Sequence, residues 1–155
     1  MFTVYVGLEG FNLDGGFIPK ELTILYATEG DQEHDHFVFG APRGIELSIV
    51  DQQTVNWTTR NLHGIHWDEG MVPHECIPML LRTLGSCSIV CHGSTSANYL
   101  ARMLPNALIT DTSSSRIKLP AQLPKSRCGR RHDRNGGRNC SLAKAIYIRS
   151  QYVLG

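Results

Sequence analysis

Apolar and polar positions alternate along residues 2–9 (FTVYVGLE), a stretch rich in β-branched and aromatic side chains. This two-residue period predicts a strand, closed by the turn residues of GFNLDGG. Two more strands are predicted at 21–27 (ELTILYA) and 36–42 (HFVFGAP), the latter reached through the polar turn TEGDQEHD. Three strands joined by short turns form an antiparallel meander. Residues 43–62 then hold a helical region or loop, with QQTVNWTTRNL suited to a short helix, and HGIHWDEG at 63–70 reads as a loop. Pro73 suits a helix first turn. HECIPMLLRTLG places Cys76, Leu80, Leu81 and Leu84 along one face and stops at Gly85, with Pro78 as an expected disturbance. CSIVCHG reads as a short buried strand. TSANYLARML reads as a helix capped by Ser94 or Thr95, with Tyr99, Leu100, Met103 and Leu104 inward, and NALITD as a brief strand. Ser, Pro, Arg and Gly dominate 112–139, which predicts irregular backbone before a last helix over SLAKAIYIRSQYV.

The order β-β-β, helix, β, helix, β, loop, helix is that of an α/β protein. Its mixed sheet would join the antiparallel meander to parallel strands through helical crossovers, with helices flanking it. The 155 residues fit a single domain, 1–155, able to bury a core.

Composition sharpens this picture in two places. The near-neutral chain is charge-asymmetric: residues 125–149 carry eight basic side chains against the single acid Asp133, and the remainder carries seven basic against thirteen acidic. A basic segment of that kind suits a phosphate backbone or an acidic protein surface; the ordinary alternative is a solvated loop. No run of eighteen apolar residues exists, and MFTVYVGLEG lacks the basic and small-residue features of a signal peptide. The expectation is an intracellular protein, cytoplasmic or nuclear, with no membrane partner. The five cysteines, Cys76, Cys87, Cys91, Cys128 and Cys140, are odd in number and scattered, which suits buried thiols and metal ligands better than a disulfide framework.

Cys128, His132 and Cys140 stand at metal-ligand spacing inside the basic segment. Thiolate and imidazole favour zinc, and a bound ion would order a long irregular loop. Three ligands are one short of a closed tetrahedral site. His63 and His66 on the 63–70 loop and His92 at the end of a core strand form a second candidate cluster; with Glu9 and Asp68 they would make a metal-independent acid–base site for RNA cleavage. Loop histidines also serve to bond backbone and pack turns. Trp57, Trp67, Tyr99 and Tyr147 are candidate base-stacking platforms or, alternatively, packing residues.

The layout and several strings resemble the ribonuclease H-like fold, in particular the DEDD-type exonucleases. Against that pattern VGLEG puts Gly7 where the first Asp would stand and keeps Glu9, LHGIHWDEG supplies the loop at His63, Gly64 and Ile65, SIVCHGSTSANYL lacks an Asp, and CSLAKA puts Cys140 at the His position and Ala145 at the final Asp. Two-metal hydrolysis needs carboxylates holding two cations about 3.5–4 Å apart, and one such carboxylate is kept. A closer resemblance is to the Maelstrom domain of the piRNA pathway, similar to those exonucleases but carrying a Glu-Cys-His-Cys zinc site in place of the carboxylates. Its Glu lies on the second strand in a Pro-x-Glu context, matched by PKELTIL and hence Glu21; its other ligands match Cys128, His132 and Cys140, with a gap between the first Cys and the His one residue longer here. Without a companion DNA-binding box, the chain resembles a shortened, stand-alone relative.

The resemblance implies a structural Zn2+ held by Glu21, Cys128, His132 and Cys140 in a catalytically degenerate domain. It would bind RNA, in single-stranded form, or an RNA-silencing partner through Lys125, Arg127, Arg130, Arg131, Arg134 and Arg138. Two alternatives stand beside it. One is an active ribonuclease, either metal-independent through His63, His92 and Glu9 or with Asp68 or Asp111 replacing lost carboxylates. The other is a protein-interaction module whose arginines meet an acidic partner.

Overall fold

The computed structural model describes residues 2–26, 33–115, 117–121, 123 and 140–154. Strands β1 (Thr3–Leu13) and β2 (Gly16–Tyr26) form a long antiparallel hairpin, and β3 (His34–Val38) pairs antiparallel with β2. Helix α1 (Ile49–Thr58) starts at Ser48, whose side chain accepts from Asp51 N at 3.0 Å, and ends in one wide π-type turn closed by Gly64 in the left-handed region. Helix α2 (Ile77–Arg82) leads to β4 (Ser88–Cys91), α3 (Ser94–Met103) to β5 (Leu108–Asp111), and α4 (Ser141–Leu154) closes the described chain. The sheet order is β3-β2-β1-β4-β5, with β4 parallel to both β1 and β5. The protein is therefore α/β, with a five-stranded mixed sheet flanked by helices, consistent with a ribonuclease H-like arrangement.

The pleat sorts the central strands into two buried faces. Val4, Val6 and Leu8 of β1, Leu22 and Ile24 of β2 and Ile89 and Cys91 of β4 pack on Ile77 and Leu81 of α2 and Leu100 of α3. The alternate positions Tyr5, Leu25 and Val90 pack on Ala145 and Ile148 of α4. Because both faces are covered, neighbouring polar residues of β2 are both buried: Lys20 on the first face and Glu21 on the second, each at 0% exposure. Lys20 Nζ donates to the carbonyls of Trp67 (2.6 Å) and Glu69 (2.7 Å), so one buried ammonium fixes the 63–70 loop to the sheet.

Two glycines mark points of close backbone approach. A Cβ on Gly7 would overlap the backbone carbonyl of Ser141, so β1 and the start of α4 meet without an intervening side chain. A Cβ on Gly10 would overlap the Ile18 carbonyl, at the register shift between Glu9 and Gly10. The strand therefore runs on past the predicted turn, and the hairpin reverses at Asp14 and Gly15. Pro78 occupies the first turn of α2 and does not disturb it, and Gly93, rather than Ser94 or Thr95, takes the cap position of α3.

Gly7→Ala is expected to lower the unfolding free energy by about 1–3 kcal/mol. Gly15→Ala, with no neighbour within reach of the added carbon, is expected to change it by less than about 0.5 kcal/mol. Urea unfolding of the two variants checks the contrast.

Candidate functional site

The first turn of α4 and the β1–β2 hairpin build the part of the metal candidate that is described. Glu21 Oε1 accepts from Ser141 N at 2.7 Å and Oε2 from His36 Nε2 at 3.0 Å. Thr23 and Ser141 share a hydroxyl hydrogen bond of 2.7 Å. A carboxylate on the first amides of a helix offsets its exposed N–H groups and complements its dipole. Burial alone would raise the Glu21 carboxyl, but the bonds from His36 and Ser141 outweigh it and hold the group below its ordinary range. Cys140, directly before Ser141, is fully buried beside Leu123, Leu142 and Ala143. Glu21 and Cys140, some 120 residues apart in sequence, thus converge at the start of α4. The donor types, carboxylate and thiol, fit zinc. Cys128 and His132, with Lys125, Arg127, Arg130, Arg131, Arg134 and Arg138, lie outside the described residues. Among the described residues no three His, Cys, Asp or Glu side chains cluster as a metal site.

The three residues read as a catalytic cluster, Glu9, His63 and His92, do line a single cavity of about 470 Å3, between β1, α1 and the start of α3. Their chemistry there is constrained. Glu9 forms an ion pair with Lys144 of α4, the two side chains 11% and 14% exposed. His63 is buried: its Nδ1 accepts from Ile65 N at 2.9 Å, so its Nε2 carries the proton and donates to Gly10 O at 3.0 Å. That neutral ring closes the loop onto β1 and packs edge-on against Phe11. His92 Nδ1 bonds the Thr112 hydroxyl at 3.0 Å; because that hydroxyl donates its one hydrogen to Cys91 O, Nδ1 is protonated.

Neither replacement carboxylate joins Glu9. Asp111, at the end of β5, accepts from Gly93 N (2.8 Å), Ser113 N (2.9 Å) and the Ser113 hydroxyl (2.7 Å). Burial raises its carboxyl, and these bonds together outweigh it and hold the group below the ordinary value. Asp68 lines a second cavity of about 460 Å3 on the opposite flank of α1, together with His66 and Trp67. Of the four aromatic candidates, Tyr99 packs on Phe17, Trp67 on Phe11, and Tyr147 donates to Lys118 O, whereas Trp57 is 58% exposed.

Two residues that matter here carried no signal as site residues in the sequence. Lys144 was one charge of the basic segment, and its partnership with Glu9 spans 135 positions. Lys20 falls just outside the strand predicted at 21–27; the observed β2 includes it, and the covering of both sheet faces buries it.

Comparison of the chain with protein-family models, with curated proteins and with solved structures finds no match. Among the described residues no helix is long and apolar enough to cross a membrane.

Lys144→Ala removes the ammonium that neutralises a nearly buried carboxylate and is expected to cost about 3 kcal/mol of stability. The double replacement Glu9→Gln with Lys144→Met removes both charges together and is expected to recover most of that loss. A double-mutant cycle by denaturant unfolding measures it.

Proposed function

We propose that the chain is a zinc-stabilised, catalytically degenerate ribonuclease H-like domain that binds single-stranded RNA through its basic 125–149 segment. One observation carries the degenerate part of this reading: what stands where carboxylates would gather. Gly7 lies flush against α4, Ala145 is buried in an apolar cluster, and Glu9 is tied to Lys144. Lys144 thus offsets the carboxylate that remains, where two-metal chemistry would set several carboxylates around cations.

Glu21, Cys128, His132 and Cys140 would hold the zinc. A closed site of four protein ligands contributes folding energy and keeps no open position for an activated water. Support comes from the convergence of Glu21 and Cys140 and from the ligand spacing downstream. The arginines of the same segment, ordered by that ion, supply the charge for a phosphate backbone.

A second reading, a metal-independent ribonuclease, is favoured by the shared cavity of Glu9, His63 and His92. Against it stand the ion pair on Glu9 and the two backbone bonds that commit both nitrogens of His63. Cleavage of labelled RNA by the wild-type chain that is lost in both His92→Ala and Glu9→Gln would establish this alternative.

Metal analysis of purified protein is expected to find about one zinc per chain, as a four-ligand structural site requires. Cys128→Ser is expected to lose the metal and lower the melting temperature; absence of zinc from the wild type overturns the site. RNA affinity is expected to fall steeply with salt, and replacing Arg130, Arg131 and Arg134 with Gln is expected to reduce the logarithmic salt slope by about 2. Salt-insensitive binding would contradict the backbone-contact reading and favour a protein partner.

A further inference from the structure

Helix α1 is a ridge between the two cavities. Thr54, Trp57 and Thr58 line the one that holds Glu9, while Gln52, Asn56 and Arg60 line the one that holds His66 and Asp68. Their volumes, about 470 and 460 Å3, are those of ordinary small-ligand pockets. The ridge is held firmly. Val55 and Thr58 are buried beneath it, Asp51 Oδ1 accepts from Asp14 N at 3.2 Å, and Thr59 Oγ1 donates to Ile65 O at 2.9 Å.

On this rigid support the exposed side chains have a particular chemistry. Trp57 turns 58% of its surface outward, with Arg60 one turn further on. Gln52 Nε2 donates to Asn56 Oδ1 at 3.0 Å, which leaves Gln52 Oε1 as an acceptor and Asn56 Nδ2 as a donor. An indole face, an amide donor and acceptor, and a guanidinium, within about two helical turns, match an unpaired base and its phosphate. They match an acidic peptide poorly, since α1 itself carries no Lys or Arg and one acid, Asp51, while Arg60 stands in the turn that follows it.

We infer that α1 is a base-contacting surface for single-stranded RNA: Trp57 stacks a base across the ridge, the amides of Gln52 and Asn56 meet base edges, and Arg60 meets the backbone. The inference rests on the RNA-binding reading above and adds a site that the basic segment does not contain. The two contributions have different salt signatures. Phosphate contacts release counterions and set the slope of affinity against salt, whereas stacking adds affinity with no slope of its own.

The experiment is fluorescence-anisotropy titration of a short labelled single-stranded RNA over a salt series, with wild type, Trp57→Ala, Trp57→Phe and the Arg130/Arg131/Arg134→Gln variant. Trp57→Ala is expected to weaken binding about tenfold at every salt concentration with an unchanged slope. Trp57→Phe is expected to retain most of the affinity, and the arginine variant to lower the slope. Trp57→Ala binding as wild type, while the arginine variant still loses slope, overturns the α1 site and leaves the RNA reading standing. No binding by the wild type overturns both. A second readout needs no affinity difference: in a Trp67→Phe chain, which keeps Trp57 as its one tryptophan, RNA is expected to quench the emission, and an unchanged emission at saturating RNA overturns the stacking.

Discussion

The carboxylate of Glu21 on the amide of Ser141 is the interaction on which the rest of the described structure depends. It joins β2 to the start of α4 across 120 residues of sequence, at a place where both partners are excluded from water. A charged hydrogen bond of this kind contributes roughly 1.5–3 kcal/mol, and losing its acceptor would leave a helix end buried without a partner. Everything around it is arranged for close approach. Gly7 brings β1 against the same turn, Thr23 meets the Ser141 hydroxyl, and His36 holds the second carboxylate oxygen. Once α4 is seated there, Ala145 and Ile148 cover the second face of the sheet, and Lys144 reaches Glu9.

That seating also determines what chemistry the sheet can present. With α4 flush on β1, the position of Gly7 has no room for a side chain, and Glu9 is left with an ammonium for its counter-charge. The cavity beside Glu9 survives, walled by α1, the 63–70 loop and the start of α3, but His63 of that loop is spent on holding the wall in place. Lys20 acts on the same loop from its other end. A rigid cavity wall with little acid–base freedom is the property of a binding surface, and Trp57 is the exposed aromatic side chain on that wall.

Most of the fold was legible in the sequence because the strands alternate cleanly and the helices carry clear stops. Among the described residues the five strands occur in the predicted order, and the segment between β3 and β4, read as a helical region or loop followed by a helix, holds both α1 and α2. Misreadings cluster at glycine. Gly10 reads as the start of a turn, yet it is a point of close approach inside a longer strand, a distinction that depends on Ile18 opposite and is invisible locally. Propensity gives the α3 cap to a hydroxyl, whereas Gly93 takes it and donates its N–H to Asp111 Oδ1 at the end of β5. In the site, Glu9, His63 and His92 are brought to one cavity as their places on strand and loop implied, while their partners Lys144, Gly10 O and Thr112 come from distant segments. Only tertiary packing reveals such partners.

The most direct test of the role given to the Glu21–Ser141 bond is native-state hydrogen exchange at the first turn of α4. If that bond seats the helix on the sheet, the Ser141 amide exchanges only through global unfolding, as slowly as the central amides of β1. Exchange of Ser141 at the rate of a frayed helix end, orders of magnitude faster than β1, would contradict it.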